Sequence, residues 1–287
     1  MFSDILLTVD YDRTLTGPDG IVPERNLEAI RYFTEHGGAF TVNTGRGLPM
    51  IVNNILSVVP VSAPFLLYNG AAAWDARKEK LVFCREIDLN AGEVLQDIQA
   101  AFPELTVEIQ GLRAHYALKK NAVWEAFSEE NRCAWDYCLD GKLTEPFLKF
   151  AVYAPFRDTS LNSAYDISPE ENAMLEEAIA YITKRWGDRV DICRPCARIL
   201  DVQAKGVSKL AAARELKKTL GRKFLICVGD AENDIPMLDG ADFAYCPADG
   251  VVADRFPNVC KCAEGAVADV IYEKIRDILK NKLDNGA

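Results

Sequence analysis

The strongest constraint on the fold is a pairing that recurs along the chain: a short apolar run that stops at a polar, mostly acidic cluster. Ile5–Val9 runs into Asp10-Tyr11-Asp12-Arg13-Thr14, and Ala39–Asn43 into Thr44-Gly45-Arg46. Pro64–Tyr68 meets Asn69-Gly70, and Phe224–Val228 meets Gly229-Asp230-Ala231-Glu232-Asn233-Asp234. Uninterrupted apolar runs of this length read as strands buried on both faces, the signature of a parallel sheet covered by helices. Helical stretches fill the intervals. Residues 23–35 start with proline in the first turn and end at His36-Gly37-Gly38, and a second helix is predicted over 48–58. Strand, helix and strand in succession join as right-handed crossovers, so the runs at 5–9, 39–43 and 64–68 are predicted to lie in one parallel sheet.

After Asn69-Gly70 the pattern changes to polar, turn-rich sequence with alternating segments such as Leu81–Cys84 and Leu105–Ile109. A strand at 147–153, a long helix at 169–186 and closing strands at 189–193 and 197–202 suggest a smaller α+β unit. The earlier style returns with a helix at 207–220, the strand at 224–228, short strands at 243–245 and 258–260, and a last helix at 265–283. The expected fold is therefore α/β: a doubly wound, Rossmann-like parallel-sheet core of residues 1–82 and 199–287, interrupted by an inserted α+β domain of residues 83–198. A chain of 287 residues has room for both units.

Charge narrows the partners. Forty-three acidic against 33 basic residues leave a net −10, which repels nucleic acid and anionic membranes. The stretch Ile51–Pro60, among the most apolar, is broken by Asn53 and Asn54 and falls short of the roughly 20 residues a membrane span needs. The start Met1-Phe2-Ser3-Asp4 lacks the features of a signal peptide, and nine scattered cysteines, Cys193 and Cys196 among them, read as reduced packing thiols. A cytoplasmic location is expected.

Ligands of open parallel sheets bind at the carboxyl ends of the strands, where this chain places its polar clusters. Several carboxylates on one rim repel one another unless a cation sits among them, and Mg²⁺ suits a site of few carboxylates plus a phosphate oxygen. Asp10, ionised at neutral pH, has the position of a nucleophile toward phosphorus. Asp12, two residues on, points to the same side in extended chain and is placed for acid/base work. Thr44, the Gly45 N–H and Lys209 near a helix start would complete a phosphate cradle.

These motifs resemble those of the haloacid-dehalogenase-like phosphohydrolase superfamily, and more narrowly its Cof-type sugar-phosphatase branch with a C2-type cap. Asp10-Tyr11-Asp12-Arg13-Thr14 looks like the first motif, Thr44-Gly45-Arg46 the second, Lys209 in Gly206-Val207-Ser208-Lys209 the third, and Gly229-Asp230 with Asn233-Asp234 the fourth. The resemblance implies an aspartyl-phosphate on Asp10, with Asp12 as acid and then base. It implies Mg²⁺ held by Asp10, the Asp12 carbonyl and Asp230, with Asp234 in support, and a phosphoryl group bound by Thr44, Gly45 and Lys209. Asn233 would contact that group or orient Lys209, while Arg46 and Asn69 would face substrate or cap. Arg13 stands where the family usually has glycine, which bears on the phosphate pocket or the cap contact.

The expected activity is Mg²⁺-dependent hydrolysis of a small phosphate ester, a sugar phosphate first. A phosphomutase of the phosphomannomutase type and a non-catalytic phosphate-ligand sensor are the alternatives. Only two histidines occur; His36 reads as a helix-end residue, and His115, with Arg113, lies in a polar stretch of the inserted unit, read first as a solvated loop and second as a substrate contact. Arg194 and Arg198 near the domain return are further candidates for substrate contact.

Overall fold

The computed structural model of the chain describes residues 1–119, 121–137, 143–155 and 166–279; Cys138 and residues 280–283 of the expected last helix lie outside them. Five parallel strands form the main sheet in the order Asn258–Val259, Phe243–Pro247, Phe224–Val228, Ile5–Val9, Ala39–Val42. The central strand is buried along its whole length, as its unbroken apolar sequence requires. Val9 pairs with both Val228 and Val42, so the three strands end level. That register brings Asp10, Thr44 and Asp230 to one rim although they are remote in sequence.

One predicted strand joins differently. Phe65–Leu67 lies beside Ala39–Val42 and meets it through a single parallel bridge between Asn43 and Leu66, with the Thr41 hydroxyl donating to the Pro64 carbonyl at 2.6 Å. It pairs antiparallel with Ala72–Asp75, which pairs in turn with Lys80–Cys84. The sharp return at Tyr68–Gly70 makes the hairpin, and Gly70, at φ 99°, is placed where a Cβ would stand 2.4 Å from the Ser208 carbonyl. Only glycine lets the turn approach the start of the helix Lys209–Thr219 so closely.

A six-stranded sheet carries the strands Val190–Cys196, Ile199–Ala204, Lys149–Tyr153, Thr106–Gln110, His115–Ala117 and Trp135–Tyr137 in that order, all antiparallel except the last pair. Its two faces differ because strand side chains alternate. Val107, Ile109, Phe150, Val152, Leu200 and Val202 pack in one apolar cluster with Leu95 and Ile98 of the helix Ala91–Ala101 and Leu175 and Ile182 of the helix Pro169–Trp186. Glu108, Gln110, Lys149, Tyr153 and Asp201 occupy the other face. The strand Lys80–Cys84 belongs to the three-stranded hairpin sheet, and Ile199–Ala204 to the six-stranded sheet.

The long helix begins at the expected Pro169, where Ser168 and Glu171 form a capping box. The helices Ala91–Ala101 and Ala122–Glu130 went unpredicted, although Asn90 and Asn121 cap them through their side chains. Eight cysteines of the described residues are free of disulfides, and no helix among those residues is long and apolar enough to cross a membrane.

Candidate active site

Beyond Val9 the chain stays attached to the sheet through Asp10 N donating to the Val228 carbonyl at 2.9 Å. Asp10 is therefore fixed at the strand end and is 8% exposed. The Lys209 ammonium, on the first residue of its helix and buried, donates to Asp10 Oδ1 at 2.6 Å and to Asp234 Oδ1 at 2.7 Å. The Thr14 hydroxyl donates to Asp230 Oδ1 at 2.7 Å. The other Asp234 oxygen accepts the Asp230 and Ala231 N–H groups at 3.1 and 3.2 Å, which shapes the loop after the fourth strand. Oxygens of Asp10, Asp230 and Asp234 lie within 4.8 Å of one another.

Three buried carboxylates against one ammonium leave negative charge in excess. Burial, followed by the charge of Asp234, pushes Asp230 up to about 7. Burial likewise raises Asp10 well above the ordinary range, opposed by Lys209. Asp12 behaves oppositely: burial works to raise it, but the Arg46 guanidinium overrides burial and holds the carboxyl below its usual value. Arg46 grips Asp12 through Nε at 2.9 Å and Nη2 at 2.7 Å, and its remaining arm donates to Asn131 Oδ1 at 3.2 Å. Such a bidentate pair is the strong geometry for arginine and carboxylate.

A cavity of about 220 Å³ opens above this rim. Asp10, Asp12, Thr44, Gly45, Arg46, Asp230 and Asn233 line it from below. Lys209 and Asp234 lie beneath that lining. Asn69, expected to face substrate or cap, is not among the lining residues; its amide donates to Asp201 Oδ2 at 2.8 Å in the six-stranded sheet. Arg13 has φ 58° and ψ 9°, the left-handed region that favours glycine, which is the physical basis of the departure at this position. It does not line the cavity either.

The upper wall holds residues that sequence reasoning missed. Lys149, 4% exposed, donates to the Gly45 carbonyl and to Asp201 Oδ2, both at 2.9 Å, tying the six-stranded sheet to the loop that carries Thr44. Glu108, Gln110, Trp124, Phe127 and Tyr153 also line it. His115, expected in a solvated loop, is a buried strand residue whose Nδ1 lies 3.0 Å from Glu108 Oε1. Burial works to lower its pKa, but the Glu108 carboxylate prevails and holds it up at about 10. Arg113, Arg194 and Arg198 are not among the lining residues: they pair with Glu145, Glu176 and Glu171. The available signal was a charged or amide residue at every second position of otherwise apolar strands.

The fold is that of an α/β protein whose candidate site lies at the carboxyl ends of parallel strands, the usual ligand position of such sheets, under a second sheet. Residues 7–253 match the haloacid dehalogenase-like hydrolase family, and the chain belongs to it. Among curated relatives, it is 23% identical to 5-amino-6-(5-phospho-D-ribitylamino)uracil phosphatase YcsE of Bacillus subtilis, over 82% of this chain and 80% of that protein. Its fold is similar to that of a haloacid dehalogenase-like hydrolase from Bacteroides thetaiotaomicron, with TM-score 0.76, 18% identity and coverage of 94% of this chain and 98% of that one. A solved sugar phosphatase of subclass IIB shares it at TM-score 0.73 and 18% identity, covering 95% of this chain and 99% of the other.

Proposed function

We propose that the protein is a cytoplasmic, Mg²⁺-dependent phosphatase that hydrolyses a small phosphorylated metabolite, sugar phosphates being the first class to test, through a phosphate ester of Asp10. The observation that carries the reading is the buried group of Asp10, Asp230 and Asp234 around one lysine, with Asp12 beside the same cavity. Naming of a Bacillus relative as a phosphatase supports it. The donor set fits Mg²⁺: the oxygens are hard, buried and close together, and their charge exceeds what Lys209 neutralises. Asp10, Asp230 and the Asp12 carbonyl would hold the ion, with Asp234 in support. When bound, it would neutralise that excess and polarise a phosphoryl oxygen.

The work of the chain follows from its own groups. Thr44, Gly45 and Lys209 bind and orient the phosphoryl group, with Asn233 beside them. Asp10 attacks phosphorus; its Oδ–P bond forms as the P–O bond to the leaving group breaks, and Asp12 gives the departing oxygen its proton. Asp12, now a carboxylate, takes a proton from water, and the resulting hydroxide attacks phosphorus, releasing inorganic phosphate and regenerating Asp10. The Asp12–Arg46 pair keeps Asp12 ionised and so matches the second half. The first half requires Arg46 to loosen as an ester enters.

A phosphate-release screen over sugar phosphates, nucleotides and cofactor phosphates, with Mg²⁺ and with EDTA, tests the reading. Activity is expected only with the ion and is expected to vanish in Asp10→Asn. Phosphate release by purified Asp10→Asn at the wild-type rate would refute it, and transfer to an added sugar in place of water would mark a phosphomutase.

A further inference from the structure

The roof of the cavity combines aromatic surface with a buried polar network. Trp124 and Phe127 come from one face of the helix Ala122–Glu130, and Tyr153 from the strand beside it. Behind them lies Glu108, 1% exposed. Its carboxylate accepts from Trp124 Nε1 and Gln110 Nε2, faces His115 Nδ1, and meets the Tyr153 phenol. With these partners the carboxylate has little capacity left for a ligand. An ion pair so deep adds little net stability. Its evident effect is to hold the indole and the phenol in fixed orientations, as the second layer of a binding site does.

Aromatic surface and volume restrict what those walls can receive. Three cations line the cavity, each facing an anion: Arg46 faces Asp12, His115 faces Glu108, and Lys149 faces Asp201. The far side of the His115 ring, Nε2, and the Gln110 side-chain oxygen have no hydrogen-bond partner among the described residues and can meet a polar group of the ligand. A cavity of about 220 Å³ suits a compact leaving group, such as one ring with its phosphoryl arm.

We propose that the roof selects a phosphate monoester whose leaving group bears one planar ring, with Trp124 as the specificity-determining residue and Glu108 as the residue that positions it. This deepens the phosphatase reading and rests on it for where the phosphoryl end lies. Calorimetric binding to Asp10→Asn, in the presence of Mg²⁺, keeps selectivity separate from turnover. Pyridoxine 5′-phosphate is expected to bind roughly tenfold or more tightly than ribose 5-phosphate, from aromatic contact and apolar burial.

Adding Trp124→Leu should abolish the ring preference, costing pyridoxine 5′-phosphate far more affinity than the ringless glycerol 3-phosphate, and adding Trp124→Phe should retain most of it. Adding Glu108→Gln should narrow the preference without a matching loss for glycerol 3-phosphate. The proposal is overturned by equal or better binding of ribose 5-phosphate, or by equal weakening of all esters in the Leu variant. A ring preference in binding without phosphate release by the wild-type protein would sink the phosphatase reading and leave the selectivity standing. Turnover without that preference would do the reverse.

Discussion

Replacing Asp230 with asparagine should stabilise the metal-free protein at alkaline pH. Lys209 is committed to Asp10 and Asp234, so Asp230 keeps only the Thr14 hydroxyl. Its folded pKa of about 7, raised by burial and then by Asp234, stands above the 3.8 of an ordinary aspartate. A carboxyl raised on folding gives its full stabilisation below its unfolded pKa and loses it as pH climbs through the folded one. At about 1.4 kcal/mol per pKa unit, ionised Asp230 lowers the stability of the metal-free protein by roughly 4 kcal/mol at pH 8.

Asparagine keeps the shape and an oxygen for Thr14 but carries no charge. In EDTA at pH 8, Asp230→Asn should therefore unfold at higher urea than the wild type, and the gap should shrink by about half at pH 5. Mg²⁺ at a hundred times its Kd should then add about 2.7 kcal/mol to the wild type, and less to the variant that lacks a ligand. Urea unfolding followed by tryptophan fluorescence, in EDTA and in Mg²⁺ at both pH values, reads all of this. A variant less stable than wild type in EDTA at pH 8, or a gap that ignores pH, would refute the charge argument.

Lys149→Met should cost about 3–5 kcal/mol by stranding the buried Asp201, while the double variant with Asp201→Asn should recover much of the loss in a double-mutant cycle. Arg13→Gly relieves left-handed backbone but frees the unfolded chain, so unfolding should shift by no more than about 1 kcal/mol and kcat/KM should hold; a tenfold fall in kcat/KM would place Arg13 in the site. His115, held up at about 10 by Glu108, stabilises fully below its unfolded pKa near 6.5 and loses that contribution as pH rises through 10. Unfolding midpoints should therefore fall between pH 7 and 10, with a flatter slope in His115→Gln.

The parallel core was legible because strands buried on both faces leave unbroken apolar runs, and because the polar clusters closing those runs share one rim. Phe65–Leu67 shows the limit of that signal: an apolar run looks the same in a parallel sheet and in a hairpin. What decides between them is the immediate return at Tyr68–Gly70 into Ala72–Asp75, too short for a crossover helix. Lys149, Glu108 and Asp201 were overlooked for a different reason. A charge within a strand announces a second, polar face of the sheet, but the sequence does not say what that face meets. His115 was misplaced into solvent because its ion-pair partner lies on the neighbouring strand.

Two of the hydrogen bonds that join the six-stranded sheet and its helices to the core end on the loop Thr44–Arg46. Lys149 reaches the Gly45 carbonyl from the six-stranded sheet, while Arg46 reaches Asn131, which closes the helix that presents Trp124 and Phe127. Arg46 also holds Asp12. The aromatic roof, the phosphate-facing loop and the proposed acid/base carboxylate are thereby joined through one three-residue segment, so a leaving group seated against the roof would be registered directly to Asp12. Misplacement of reacting groups by about 1 Å can cost on the order of a hundredfold in rate. A short, buried and doubly anchored connection supplies that registration better than a long hinge could, and it accounts for two charged side chains, Lys149 and Asp201, buried where hydrophobic packing alone would put none.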